Sequence, residues 1–521
     1  MAADRSQTTQ EQATPTATAP AQDSSATRRL LSAGAVMAAG TALSRVLGFV
    51  RLVVLVALFE NGTRQADMFA VANTLPNSMY ILLAGGVLNT VLVPQLVRAV
   101  RRDADGGEAY TNRVMTVGLV GLALVTTVLT LAVPLVVRIY SSGGWRAPGL
   151  EAQYASMTAL AYWCMPQVFF YGVHVLAGQV LNARDRFGPM MWAPIANNVV
   201  SVAVLGIFYV VFGQTRTGDA FTGPQEVVLG LGATIGIAVQ AAVLLPFLRS
   251  AGYRFRPRLD LRGTGLGHTF RLARWTLGFV AVTQLALVVV NRLATQATVN
   301  GRGAGLAAYG NAYAVWILPH SLVTLSLATA MLPAASRMAA EGDLRGVTAE
   351  TTRTLRLAVA VLLPVAVGFV ALGLPAAQLA FGFGRGGRDA SFVGWALMAL
   401  ALGLVPFTVQ YVLLRAFYAL EDTRSTFFLQ LVVAAVNVAA AVVIVAAVDD
   451  PDWVAAGLGL AYSLAYGVGV VVSFRRLRRT LGDLDPLELV QHCVRLLLAS
   501  LPAAALAWLV CWAVTSRLGS R

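Results

Sequence analysis

Two arginines stand six positions apart in an otherwise apolar stretch, Ser44-Arg45-Val46-Leu47-Gly48-Phe49-Val50-Arg51. An arginine at mid-membrane costs about 2.5–3.5 kcal/mol on insertion scales, so each one needs an account. The guanidinium group is flat, permanently charged and suited to bidentate contact with phosphate oxygens. Arg45 and Arg51 are therefore candidate binding groups for a phosphate-bearing substrate. The bland alternative is snorkelling to an interface or pairing with a buried carboxylate. Six residues of unbroken helix turn through roughly 600°, which sets the two roughly 120° apart. A break near Gly48 would bring both to one cavity. Arg292 is a further candidate cation. Asp67, in Ala66-Asp67-Met68-Phe69, is either a simple helix N-cap or a carboxylate that pairs with an arginine and latches the outer gate of a cavity.

No other chemistry competes with these residues. The chain has no phosphate-binding Walker loop, no His-Glu-x-x-His and no Ser/His/Asp or Cys/His constellation. Four histidines and three cysteines in 521 residues make a metal site improbable. His174 and His320 stand alone on apolar helices and read as core histidines, while Cys164, Cys493 and Cys511 sit in apolar runs at no ligand spacing. The expectation is a protein that is not an enzyme, with no cofactor and no metal.

The elements that must position these charges are membrane helices. With 57% hydrophobic and 12% charged residues, the composition is that of a polytopic membrane protein. The net charge of +14 comes from arginine alone, and no soluble basic face points to nucleic acid. Thirteen apolar segments reach spanning length, roughly at 30–58, 67–97, 112–139, 155–182, 188–213, 225–248, 275–299, 305–335, 355–382, 391–420, 425–448, 453–474 and 488–515. Pro76, Gly85-Gly86 and Pro94 in the second, and Pro319 and Pro333 in the eighth, mark expected kinks. Even-to-odd loops are basic, as at Arg98, Arg101 and Arg102, or Arg475, Arg476, Arg478 and Arg479. By the positive-inside rule the amino terminus is cytoplasmic.

The first six segments recur, in order, roughly 240 residues later. Leu75-Pro76-Asn77-Ser78 returns as Leu318-Pro319-His320-Ser321, and Leu47-Gly48-Phe49-Val50 as Leu277-Gly278-Phe279-Val280. Six is an even number, so the repeats are parallel, and a substrate path is expected between them. The expected fold is an all-α polytopic membrane protein with two parallel six-helix repeats around a central cavity plus one extra C-terminal helix. Its expected parts are a disordered cytoplasmic tail (1–29), an N-lobe (30–250), a cytoplasmic linker (251–274), a C-lobe (275–480) and the extra helix (481–521).

The runs Ser44 to Arg51, Ala66 to Asn77, Gly85-Gly86-Val87-Leu88 and Val93-Pro94-Gln95-Leu96 resemble the MurJ/MviN family. So does Leu414-Arg415-Ala416-Phe417-Tyr418-Ala419-Leu420-Glu421-Asp422-Thr423-Arg424, and the likeness covers about 30 to 480. Members are lipid II flippases of peptidoglycan synthesis, in the superfamily of multidrug and polysaccharide exporters. The resemblance implies a central cationic cavity that binds the lipid's diphosphate and head group, and alternating access that carries it to the outer leaflet. It places Arg45 and Arg51 in the cavity and Asp67 at the gate. The implied partners are lipid II or a related polyprenyl-diphosphate glycolipid, membrane lipids and cytoplasmic cell-wall synthesis proteins, and the implied location is the plasma membrane. The chain departs from the family at Tyr80-Ile81, where many members carry a basic pair, and at Gly85, where a Glu is common. It departs again at Ala314, in place of the helix 8 arginine, and in having thirteen expected helices instead of fourteen. A flippase for another polyprenyl-linked saccharide and a non-transporting scaffold of cell-wall synthesis are the alternative readings.

Overall fold

The structure, a computed structural model, describes residues 24–82, 105, 107–213, 219–258, 266–383, 387, 389–482 and 484–518. Among the described residues there is no strand, only an isolated bridge between Thr63 and Arg302. The helices, in order, are α1 (Ser24–Phe59), α2 (Arg64–Tyr80), α3 (Glu108–Leu131), α4 (Val133–Tyr140), α5 (Glu151–Cys164), α6 (Gln167–Ala183), α7 (Gly188–Phe212), α8 (Gly223–Ala242) and α9 (Leu244–Ser250). A second series follows: α10 (Leu266–Gln296), α11 (Leu306–Ala340), α12 (Leu344–Phe381), α13 (Ala390–Ala401), α14 (Leu404–Ala419), α15 (Thr423–Ala447), α16 (Val454–Leu481) and α17 (Pro486–Leu518).

Among the described residues, eleven stretches, some formed by two consecutive helices, are long and apolar enough to cross a membrane, and α13 with α14 makes a twelfth, bent by 48°. Each answers to one of the thirteen predicted segments. The remaining one is the second, which α2 opens and whose later part lies outside the described residues, as do Gly85-Gly86, Pro94 and Arg98 to Arg102. The helix of the first segment begins at Ser24, ahead of the expected Leu30. The helix of the seventh begins at Leu266, inside the expected linker.

The duplication is visible in the packing. α1 lies on α7 as α10 lies on α15; α7 on α8 as α15 on α16; α2 on α5 as α11 on α13. The breaks repeat too. Pro166 heads α6 after α5, and Gly403 heads α14 after α13. A proline at such a position has no N–H to lose from the helix ladder, and the chain bends where that bond is missing. The described prolines singled out in the sequence lie inside continuous helices. α2 runs on through Pro76, and α11 through both Pro319 and Pro333. α17 stands outside the repeats. It packs on α12, and its apolar side chains are exposed along its length, as a lipid-facing helix requires.

Candidate functional site

Between the two halves lie adjoining hollows of about 430 and 460 Å³, which share Arg51, Leu52 and Asn198. Arg51 lines both, and Arg45 lines the second together with Ser44 and Gly48. α1 runs unbroken from Ser24 to Phe59, with no break at Gly48. Two long side chains flanking the Ser44–Gly48–Leu52 face reach one hollow without it. Asn198 of α7 ties that face down by donating to the Ser44 carbonyl at 2.9 Å.

Neither guanidinium has a hydrogen bond or ion pair with a described residue. The hollow that Arg51 alone of the two lines is rich in polar side chains: Asn73 and Asn77 of α2, Gln167 and Tyr171 of α6, Asn197 of α7 and Asn311 of α11, with Glu60 as its acidic member. Among the described residues, Asn61 Nδ2 and Gln167 Nε2 are buried without an acceptor. Buried donors without partners call for water or a ligand. Arg51 shares its hollow with these amide donors and Arg45 faces the adjoining one, an arrangement that suits an oxyanion. Tyr80, where the resembled family commonly has a basic residue, stacks on Tyr171 at 4.8 Å, and Ala314 lines the second hollow. Both departures leave this wall less charged, which concentrates the positive charge on α1.

One end of the cavity is shut by bonds between the halves. Asp67, fully buried, accepts from Ala307 N–H at 2.8 Å and from the Thr298 hydroxyl at 2.7 Å. Its own helix is capped by Thr63, whose hydroxyl accepts from Ala66 N–H. Asp67 therefore caps α11 of the other half, in place of α2 or an arginine partner. The carboxylate's negative charge is favoured at that helix start. Beside it, Arg302 pairs with Glu60 at 2.7 Å and with Asp389 at 2.8 Å, and Asp389 also accepts from Gly62 N–H. Arg64 donates to the carbonyls of Thr298 and Val299, and Trp145 Nε1 to that of Thr295.

Arg292 belongs to this closed end too. It donates to the carbonyls of Arg138 and Ile139, joining α10 to α4, and it lines neither hollow. Arg415 hydrogen-bonds the Tyr411 hydroxyl and stacks on Tyr411 and Tyr418. An aromatic pair neutralises a buried guanidinium in part through the ring quadrupoles. His320 contacts the Thr408 hydroxyl and the rings of Phe407 and Tyr411 on the interior side of α11. Among the described residues no cluster of His, Cys, Asp and Glu could hold a metal ion.

Sequence reasoning missed the cavity amides and the Glu60–Arg302–Asp389 triad. The amides had a signal, since Asn73, Asn77, Asn197 and Asn311 are polar groups within apolar helices. The triad had none, because its members lie far apart in the chain.

Residues 57–519 match the family model described as lipid II flippase MurJ. The chain belongs to this family. The chain is 26% identical over 446 residues to a probable lipid II flippase MurJ from Rhizobium meliloti (strain 1021), which covers 83% of this chain and 78% of that protein. A probable lipid II flippase MurJ from Haemophilus influenzae is 27% identical, covering 74% of this chain and 75% of its own length. Among solved structures, a lipid II flippase MurJ in an inward closed conformation superposes with a TM-score of 0.69 at 16% identity, over 93% of this chain and 99% of that one. An inward-facing multidrug transporter of the MATE family follows at 0.59 and 15% identity, over 86% and 94%. At such identities the likeness is one of fold. The family match begins after Arg45 and Arg51, so the case for these two rests on the cavity itself.

Proposed function

We propose that this chain is a lipid II flippase. It takes the diphosphate-linked head group from the cytoplasmic leaflet and releases it at the outer one, while the polyprenyl tail stays in lipid. The single observation that carries the reading is the pair of guanidinium groups, Arg45 and Arg51, without an ion pair among the described residues, in a hollow between two halves that the network described above bonds together at one end. A diphosphate supplies the negative charge that offsets the cost of burying those cations.

On the positive-inside reading the amino terminus is cytoplasmic and the bonded end faces outward. Alternating access then requires the Asp67 and Arg302 contacts to part, and the halves to close at the opposite end. Once the head group has left, the empty cavity carries net positive charge. An inside-negative potential draws that charge back, at about 2.3 kcal/mol per elementary charge per 100 mV.

The test is rescue of a cell depleted of its own lipid II flippase, read as lipid II exposed on the outer leaflet. Wild type should rescue and Arg45→Ala and Arg51→Ala should not. Failure of a well-expressed wild type would exclude lipid II as the cargo, and rescue by all three would exclude the α1 arginines as the site.

A further inference from the structure

After α9 the chain does not leave the protein surface. Gly252, with φ of +76°, turns it back in a conformation that glycine adopts without strain. Tyr253 is then buried, with its hydroxyl donating to Asn112 Oδ1 at 2.8 Å and the Arg184 guanidinium over its ring. From there an extended strap, Tyr253-Arg254-Phe255-Arg256-Pro257-Arg258, runs along α3. Arg256 N–H donates to Asn112 Oδ1 at 3.0 Å, and Arg258 N–H to the Thr116 hydroxyl at 2.9 Å. The backbone is fixed at both points, yet Arg254, Arg256 and Arg258 are all exposed and none of their guanidinium groups has a hydrogen bond or ion pair with a described residue. Among the described residues the acidic neighbours are Asp105, near Arg258, whose carboxylate already accepts from Gly107 and Ala109 N–H, and Glu108, near Tyr253.

What the strap covers gives it meaning. At 3.6 residues per turn, Thr116, Val120, Leu124 and Leu131 fall on one face of α3. Thr116, under the strap, is 5% exposed, whereas Val120, Leu124 and Leu131 are 56%, 64% and 76% exposed. In a membrane helix that bare stripe is covered by acyl chains. Arg258, the last described residue of the strap, is thus fixed one turn, about 6 Å, before the acyl-covered stripe begins, at the depth of the lipid head groups.

We propose that the strap and this stripe form one site for an anionic diacyl phospholipid of the cytoplasmic leaflet. Its phosphate meets Arg254, Arg256 and Arg258, and an acyl chain lies along Val120 and Leu124. The leaflet follows from the topology proposed above; the site itself does not depend on what the protein transports. An arginine held near an anionic surface contributes about 1 kcal/mol. Three give a loss of tenfold or more in affinity when neutralised.

Native mass spectrometry of the purified full chain, titrated with phosphatidylglycerol or with phosphatidylcholine, tests this without any transport step. Wild type should bind phosphatidylglycerol at least tenfold more tightly than the triple variant Arg254→Gln, Arg256→Gln, Arg258→Gln. The corresponding triple Lys variant should keep the preference, and Leu124→Asn should weaken both lipids. Equal phosphatidylglycerol binding by wild type and the Gln variant would overturn the proposal, as would an equal loss in the Lys and Gln variants. An acidic protein captured by the strap with no lipid preference would overturn it as well. Should the triple Gln variant not fold, Arg254→Gln and Arg256→Gln measured singly decide the matter by the same comparison.

Discussion

Asp67, near the start of α2, caps the first turn of α11, the helix that holds the corresponding place in the other half: its Oδ1 accepts from Ala307 N–H at 2.8 Å. A residue of one repeat thus completes the secondary structure of the other. The bond exists only while the halves are together at that end.

Replacing Asp67 with Ala removes the cap and leaves the Ala307 N–H and the Thr298 hydroxyl buried without an acceptor. A lost cap costs about 0.5–2 kcal/mol, and an orphaned buried donor about 1–3 kcal/mol. The closed state should lose that much relative to the open one. With Cys164, Cys493 and Cys511 replaced, a cysteine placed by Asn311→Cys should be labelled from outside at least tenfold faster in the Asp67→Ala background. Unchanged labelling would show that Asp67 does not hold the gate.

Gly305→Ala should reproduce that phenotype from the other side. An added Cβ would lie 2.1 Å from Asp67 Oδ2, a distance no real contact tolerates, and its neighbour is the carboxylate of a fully buried residue. The double variant Gly305→Ala, Asp67→Ala should be no worse than either single one, since both remove the same bond. Additive losses of outer-leaflet lipid II would argue against a shared contact.

Arg302→Gln should loosen the same end by a different route. Its side chain is 45% exposed, but its partners Glu60 and Asp389 are 6% and 1% exposed, so removing the cation takes a shared counter-charge from two nearly buried carboxylates. The loss should exceed the ~0–1 kcal/mol of a surface pair and fall short of the ~3–5 kcal/mol of a fully buried one. Thermal unfolding in detergent measures it, with Arg353→Gln as the control. That residue is 75% exposed and reaches Glu350 only at 4.0 Å, so its removal should leave the transition unchanged.

Arg51→Gln should lower the dependence of turnover on membrane potential, because it removes one of the two charges that α1 brings to the cavity. Flipping in proteoliposomes, measured as a function of an imposed potassium diffusion potential, should show roughly half the wild-type slope in those turnovers that persist. A slope equal to that of wild type would assign voltage sensing to other charges.

Much of this fold is legible in the sequence because hydropathy and length are local quantities. The runs from Gly188 to Phe212 and from Thr423 to Ala447 announce themselves, and the return of Leu-Pro-x-Ser at Leu318 announces the repeat. Arg45 and Arg51 are legible for the same reason, since each breaks an apolar run. The partner of Asp67 is not legible. Nothing near it in the chain specifies Ala307, and capping by another helix leaves no pattern at fixed spacing. Arg292 shows the converse limit. An intramembrane arginine announces itself whether it faces a cavity or, as here, fastens two backbone carbonyls of a neighbouring helix.

The cap that Asp67 places on α11 also governs what can enter when the halves separate. Losing the carboxylate exposes N–H groups of the first turn, and these accept a substitute only from something that carries an oxygen lone pair. Water qualifies and an acyl chain does not. The seam is therefore wettable and lipophobic at its narrowest point: it parts toward an aqueous compartment, while hydrocarbon from the surrounding bilayer finds no stable footing there.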